Sequence, residues 1–249
     1  AAREAREKAL AVLDEAVTDA RTYHRAKRAA ESDSSLPMPD VNAKMEGMMP
    51  VLEGDLPLFI HAFERNQIAD ALDWAAEQEL DNLVLVTSGD VRYLADRLAE
   101  ENVPVILNGV LALPDRRWEA YDTPFTTAKV LHDAGVRFAL GMGHGTFSAS
   151  NGRNLPYQAA MAVAYGLPRD VAIRALSLTT AEILGVDDRI GSLEAGKEAS
   201  FSIIDGDPLE IVSSIEGMWI AGREIDLTAE HQYRLYQKYL NRPRPAETR

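Results

Sequence analysis

Three side chains that could take part in catalysis or binding lie in or beside apolar segments or just before a predicted helix. His61 lies near the end of the apolar run LPLFIHAF, His144 lies in the glycine-rich stretch GMGHG, and Arg153 precedes NLPY. A neutral imidazole binds divalent metals or accepts a proton near neutral pH, and a guanidinium binds carboxylates. Active sites of α/β proteins form where strands end and loops begin. We therefore predict His61 as a metal ligand, His144 as a ligand or general base, and Arg153 as a contact for a substrate carboxylate.

Each of these residues also has a purely structural interpretation. His61 can be a hydrogen-bonded, inert histidine at a strand end, and His144 can be a solvent-facing histidine in a site that has lost its activity. Around Arg153 the residues Asn154 and Pro156 are typical of a helix cap and a first helical turn. Asp90, which follows the apolar segment NLVLVTS, is expected to cap the helix that comes next.

The positions of these residues follow from a regular alternation along the chain. Apolar runs of strand length occupy 56–63, 82–88, 103–110 and 136–142, and segments with helical periodicity separate them. Strands buried on both faces and separated by helices indicate a parallel sheet, so the sequence predicts an α/β fold.

The two ends of the chain do not follow this alternation of strands and helices. An amphipathic helix is predicted over 3–30 and is followed by a polar, proline-containing linker up to residue 43. Beyond residue 186, turn glycines alternate with short β runs, which indicates a small all-β module. A tail helix is predicted over 228–242.

Composition narrows the classes of function. The 249 residues carry a net charge of −13, which argues against nucleic acid or an anionic membrane as the main partner. No apolar run reaches 18 residues, so no membrane-spanning helix is predicted. The absence of cysteine excludes disulfides, thiolate metal sites and cysteine nucleophiles, but leaves the compartment unknown. Nucleotide-binding glycine motifs are also missing, which argues against a nucleotide-binding fold. The expected partner is a small-molecule substrate.

Two stretches carry a resemblance to a known family. The segment RNLPYQAAMAVAYGLPRDVAIRALSLTTAEILGVDDRIGSLEAGKEASFSIIDGDPLEI, followed by WIAGREI, resembles the C-terminal part of the amidohydrolase superfamily, in its imidazolonepropionase-like branch. The run LPLFIHAF is similar to the fifth barrel strand of that family. Together the similarity covers roughly residues 50 to 225.

The resemblance implies the C-terminal half of a (β/α)8 TIM-type barrel with part of a small β-sandwich. Strands 5 to 8 would be residues 57–62, 83–87, 104–108 and 137–141. The domains would then be a helical segment and linker at 1–43, a half barrel at 44–185, a sandwich portion at 186–227 and a tail helix at 228–249. The chain opens inside a helix and is expected to be a fragment. The open edges at strands 5 and 8 are expected to pair with the missing N-terminal half or with a second subunit.

The resemblance also implies zinc, or another divalent metal, at the carboxyl ends of the strands, with His61 matching the strand-5 ligand. Strand 8 departs from the family, because Gly143 and His144 stand where an Asp is expected. The resulting hypothesis is a metal-dependent hydrolase of C–N bonds in cyclic amides or peptide-like substrates, inactive as this chain alone. The alternative is a catalytically degenerate amidohydrolase-fold subunit that serves as a binding or scaffold protein.

Overall fold

Four parallel strands form the central sheet of the computed structural model, which describes residues 2–143, 146–229, 231–240 and 242. The strands are β1 (Leu58–His61), β2 (Leu83–Thr87), β3 (Val105–Asn108) and β4 (Phe138–Gly141). They pair in the order β1-β2-β3-β4, so each strand lies beside its neighbour in sequence. The predicted parallel α/β sheet is confirmed, with each strand shorter than its apolar run.

Helices connect the strands and cover one face of this sheet. They are α3 (Arg65–Glu77), α4 (Ala95–Glu100) and α5 (Thr123–Asp133). The helix predicted over 90–102 is divided, because residues Gly89–Leu94 form a 3-10 helix that leads into α4.

The largest apolar core lies between the sheet and these helices. Register and alternation place Leu85, Leu107 and Leu140 on the same face of the sheet. Each of the three has at most a few per cent of its surface exposed. They belong to one cluster with Ile68 of α3 and Leu131 of α5. Burial on this face, which fixes the sheet register, stabilises the fold most.

The N-terminal region adds two helices outside α3, namely α1 (Ala2–Ser32) and α2 (Ala43–Leu52). α1 docks on α3 through polar contacts, in which Trp74 Nε1 donates to Asp14 at 2.8 Å, and through its buried Val17. α2 was not predicted. The Asn42 side chain caps it by accepting hydrogen bonds from the first backbone N–H groups of this helix.

Between β4 and residue 200, the described residues form five helical segments. They are α6 (Thr146–Ser150), a 3-10 helix (Gly152–Asn154), α7 (Leu155–Ala164), α8 (Arg169–Leu176) and α9 (Leu178–Leu184). α9 lies against the sheet face opposite the main core, where Ile183 packs on Val84 and Ala139.

An antiparallel module follows, with β5 (Phe201–Asp205), β6 (Ser214–Ile220) and β7 (Arg223–Glu224). The rings of Phe201 and Trp219 stack across the β5–β6 pair, with 4.9 Å between centroids. Arg169 of α8 holds the module through a bidentate ion pair with Asp207, with both distances 2.8 Å. The tail helix is α10 (His231–Leu240). Within the residues described, no helix has the length and apolar composition needed to cross a membrane.

Candidate functional site

The carboxyl ends of the four parallel strands meet at one edge of the sheet. The strands end at His61, Thr87, Asn108 and Gly141, and Asn108 pairs directly with Gly141 in the sheet register. Strand alternation puts His61 on the face of Val86, away from the main helix layer. This edge is where ligands bind in parallel α/β folds, and we call it the carboxyl edge.

His61 is the last residue of β1 and its side chain is exposed, so the imidazole is accessible at the carboxyl edge. The parts of the chain that the structure describes contain no group of three or more His, Cys, Asp or Glu side chains able to hold a metal ion. A catalytic zinc site takes about three protein ligands. The described residues therefore do not fit a complete zinc site, and His61 offers one donor. Its metal-ligand role stays a prediction.

The end of β4 is shaped by a contact that the sequence analysis did not anticipate. Asn108 Oδ1 accepts a hydrogen bond from the Gly143 backbone N–H at 2.9 Å. A Cβ atom on Gly141 would overlap Asn108 Oδ1 and would lie 3.1 Å from Ile106 Cγ2. Gly143 has a φ of +86°, a conformation that favours glycine. Gly141 is therefore required by its close contact with Asn108, and Gly143 by its backbone conformation. The signal for Asn108 was a polar residue inside the apolar run 103–110.

The general-base prediction falls on His144, which lies outside the described residues together with Gly145.

Arg153 lies in the 3-10 helix after α6 and is exposed. Its Nη1 donates to Gln232 Oε1 of α10 at 3.0 Å. Arg153 follows β4 at one edge of the sheet, whereas His61 ends β1 at the opposite edge. The structure thus links Arg153 to α10, and its role as a substrate contact stays a prediction. Asn154 occupies the N-cap position of α7, but its side chain makes no capping hydrogen bond.

Asp90 corrects one sequence expectation. It does not cap its own helix: its Oδ2 accepts a hydrogen bond from the backbone N–H of Arg65, at the start of α3, at 2.9 Å. The Arg116 guanidinium donates to both Asp90 oxygens, at 2.5 and 2.7 Å, and also reaches Glu119 at 2.9 Å. Arg116 therefore holds the pKa of Asp90 below its ordinary value, while the two carboxylates raise the pKa of Arg116.

An open cavity of about 410 Å³ lies between the loops that follow β1, β2 and β3. Its volume is within the range of small-molecule sites. It is lined by Phe63, Glu64, Ser88, Asp90, Asp115 and Arg116. The carboxyl edge thus combines an accessible imidazole, a preformed cavity and an organised charge network.

Comparison with known proteins gives a consistent picture. The sequence profile of the Amidohydrolase family matches residues 62–227. The crystal structure of an amidohydrolase from Thermotoga maritima MSB8 superposes with a TM-score of 0.76 at 28% identity, over 87% of this chain and 55% of that chain. An adenosine deaminase from Xanthomonas campestris, solved with bound zinc, gives a TM-score of 0.50 at 22% identity over 80% of this chain, a likeness of fold alone.

Among curated proteins, the amidohydrolase tasK of Hapsidospora irregularis is 29% identical over 104 residues, which is 42% of this chain and 10% of that protein. The chain thus spans about half of the Thermotoga structure and a tenth of this relative. Since the family profile covers most of the chain, from the residue after β1 through the antiparallel module, this protein belongs to the amidohydrolase family.

Proposed function

We propose that this chain forms one part of a hydrolase that acts on C–N bonds in cyclic amides or peptide-like substrates. The observation that carries the proposal is the accessible imidazole of His61 at the carboxyl edge of a parallel sheet, in a chain of the amidohydrolase family. A cavity at the same edge, lined by residues of the loops that follow β1, β2 and β3, provides room for a small substrate.

The proposed site depends on a divalent metal, with zinc as the first candidate, and His61 supplies one ligand. The remaining donors come from residues outside the described ranges or from another polypeptide, because the described residues supply too few. The imidazolonepropionase-like branch, suggested by the segment 153–211, is the proposed subgroup.

The architecture that supplies those donors is proposed to be a barrel of which this chain is strands 5 to 8. Among the described strands, β1 and β4 each have one neighbour in the sheet, so their outer edges are open for parallel pairing. In the antiparallel module Ile203, Ile215 and Ile220 are each about half exposed, as expected for one part of a larger sandwich. An N-terminal half barrel is the proposed partner, and a second copy of the chain is the alternative.

Metal content tests this proposal directly. The chain is co-produced with the first four barrel strands of a homologous amidohydrolase, and zinc in the purified complex is measured by mass spectrometry, alongside amide hydrolysis. We expect zinc in the complex and its loss in His61→Ala. The control is His132→Ala, which removes a partly buried imidazole of α5 and should leave zinc unchanged. Equal zinc in both variants would refute the ligand role of His61.

One observation favours the second candidate, a degenerate binding or scaffold subunit. At the end of β4, Gly141 packs against the Asn108 side chain and Gly143 donates to it, and the described residues there include no carboxylate that could accept a proton. Hydrolysis by the zinc-loaded complex that disappears in His144→Ala would exclude this candidate. A complex that binds amides without cleaving them would support it.

A further inference from the structure

Asp90 connects three separate loops at the carboxyl edge. It belongs to the segment after β2, it accepts the backbone N–H of Arg65 after β1, and it pairs with Arg116 after β3. The carboxylate side chain is only 5% exposed. A buried carboxylate with two charge-assisted bonds from one guanidinium and a third bond from a backbone N–H has a single favoured geometry.

The loop over residues 109–122, which we call the β3–α5 loop, has a second attachment. The backbone N–H of Leu111 donates to Gln158 Oε1 of α7 at 2.7 Å, and Gln158 is 6% exposed. Leu113 and Trp118, in contrast, are 85% and 81% exposed. Val110, at the start of the loop, is buried in the core, but the part from Leu113 to Trp118 gains little from packing, so its shape depends on polar attachments.

The Asp90 attachment also defines the cavity. Three of the six lining residues are Asp90, Arg116 and their neighbour Asp115, while Phe63 and Glu64 stand just before the α3 N–H group that Asp90 holds. The walls of the cavity therefore come from the segments that Asp90 ties together.

We infer that Asp90 is a positioning residue: through Arg116 and the Arg65 backbone it holds the β3–α5 loop and the start of α3 in the arrangement that forms the substrate cavity. The assignment of this cavity to substrate rests on the proposed function. The positioning itself is a property of this chain and is measured without metal or substrate.

Hydrogen exchange of the intact chain, followed by NMR or mass spectrometry, tests the inference. Arg116→Gln removes the ion pairs of Arg116 with Asp90 and with Glu119 of the same loop, but leaves the bond between Asp90 and the Arg65 N–H. We expect exchange in the β3–α5 loop to rise at least about tenfold, as follows from the loss of a charge-assisted hydrogen bond. Exchange of the Arg65 N–H should stay unchanged. In Asp90→Ala both segments should exchange faster, and Arg116→Lys should restore part of the protection.

The matched control is Asp207→Ala, which breaks an equally bidentate Asp–Arg pair in a different part of the protein. It should leave exchange in the β3–α5 loop unchanged. The inference is overturned if Arg116→Gln leaves the loop unchanged, or if exchange rises evenly through α5 and α7, which would show a general loss of stability. If Asp90→Ala does not fold, Arg116→Gln and its lysine counterpart still decide the question. A negative zinc experiment would not alter this result, so the two proposals fail separately.

Discussion

The packing of Asn108 over Gly141 makes a quantitative prediction for Gly141→Ala. The new methyl group would overlap Asn108 Oδ1 and press on Ile106 Cγ2 at 3.1 Å. Overpacking of this kind costs about 1–3 kcal/mol. Displacing Asn108 also breaks its bond with the Gly143 N–H, which contributes about 1 kcal/mol. We expect the free energy of unfolding to fall by about 2–4 kcal/mol.

Urea unfolding followed by circular dichroism measures this loss, and a double-mutant cycle identifies its cause. Asn108→Ala alone should cost about 1–2 kcal/mol, because it loses the bond to Gly143 and some packing. In the Asn108→Ala background, Gly141→Ala should cost no more than about 1 kcal/mol, since only the contact with Ile106 remains. Additive losses in the double variant, or a neutral Gly141→Ala, would refute the proposed contact.

Three further predictions concern stability elsewhere in the chain. Gly191 and Gly196 share a φ of +98°, but a Cβ on Gly191 would lie 2.7 Å from the Ala181 methyl group of α9, while a Cβ on Gly196 would face open space. Gly191→Ala should therefore lower the urea midpoint more than Gly196→Ala, and equal effects would contradict this. Leu131 is fully buried in the core, so Leu131→Ala should lower the free energy of unfolding by about 2–5 kcal/mol; a decrease below about 1 kcal/mol would indicate that the core relaxes around the new cavity. The hydrogen bonds from Arg169 hold the pKa of Asp207 at about 2, below its ordinary value of 3.8. The pair therefore stabilises the fold above about pH 4 and loses this effect as the pH falls towards 2, so the wild-type advantage over Asp207→Asn in urea unfolding should shrink across that interval; a constant difference would contradict the assignment.

The central sheet could be predicted from the sequence because its signals are local. Each strand is a short apolar run, and each connection has helical periodicity. Both can therefore be recognised from local sequence patterns, without knowledge of contacts between distant residues. Strand ends shifted by one or two residues, since apolar side chains continue into the loops at both ends of the runs, as in 103–110 around Val105–Asn108.

α2 was missed because its sequence contains Gly47 and Pro50, which weaken a helical signal, and because its cap comes from Asn42 in a segment interpreted as linker. The division of the segment 90–102 into a 3-10 helix and α4 could not be predicted, because the spacing of its apolar residues is the same as in a continuous helix.

The candidate site was only half predictable for a different reason. His61 could be placed from a strand pattern, but the partners of Asp90 lie in other segments, at the start of α3 and in the loop before α5. Asn108 likewise acts on glycines that follow the next strand. Such non-local pairs exist only once the sheet has brought the strand ends together, so a single sequence shows the residues without their partners.

The order of the strands has a consequence for how the chain folds. Because β1 to β4 pair only with their neighbours in sequence, each new strand needs a loop closure of one βα unit before its first contacts form. Pairing between strands that are neighbours in sequence closes shorter loops than pairing between more distant strands would, which lowers the entropic cost of each step. We therefore expect the sheet to grow by stepwise docking of βα units, and substitutions in the pair β2–β3 to slow folding more than those in the outer strands.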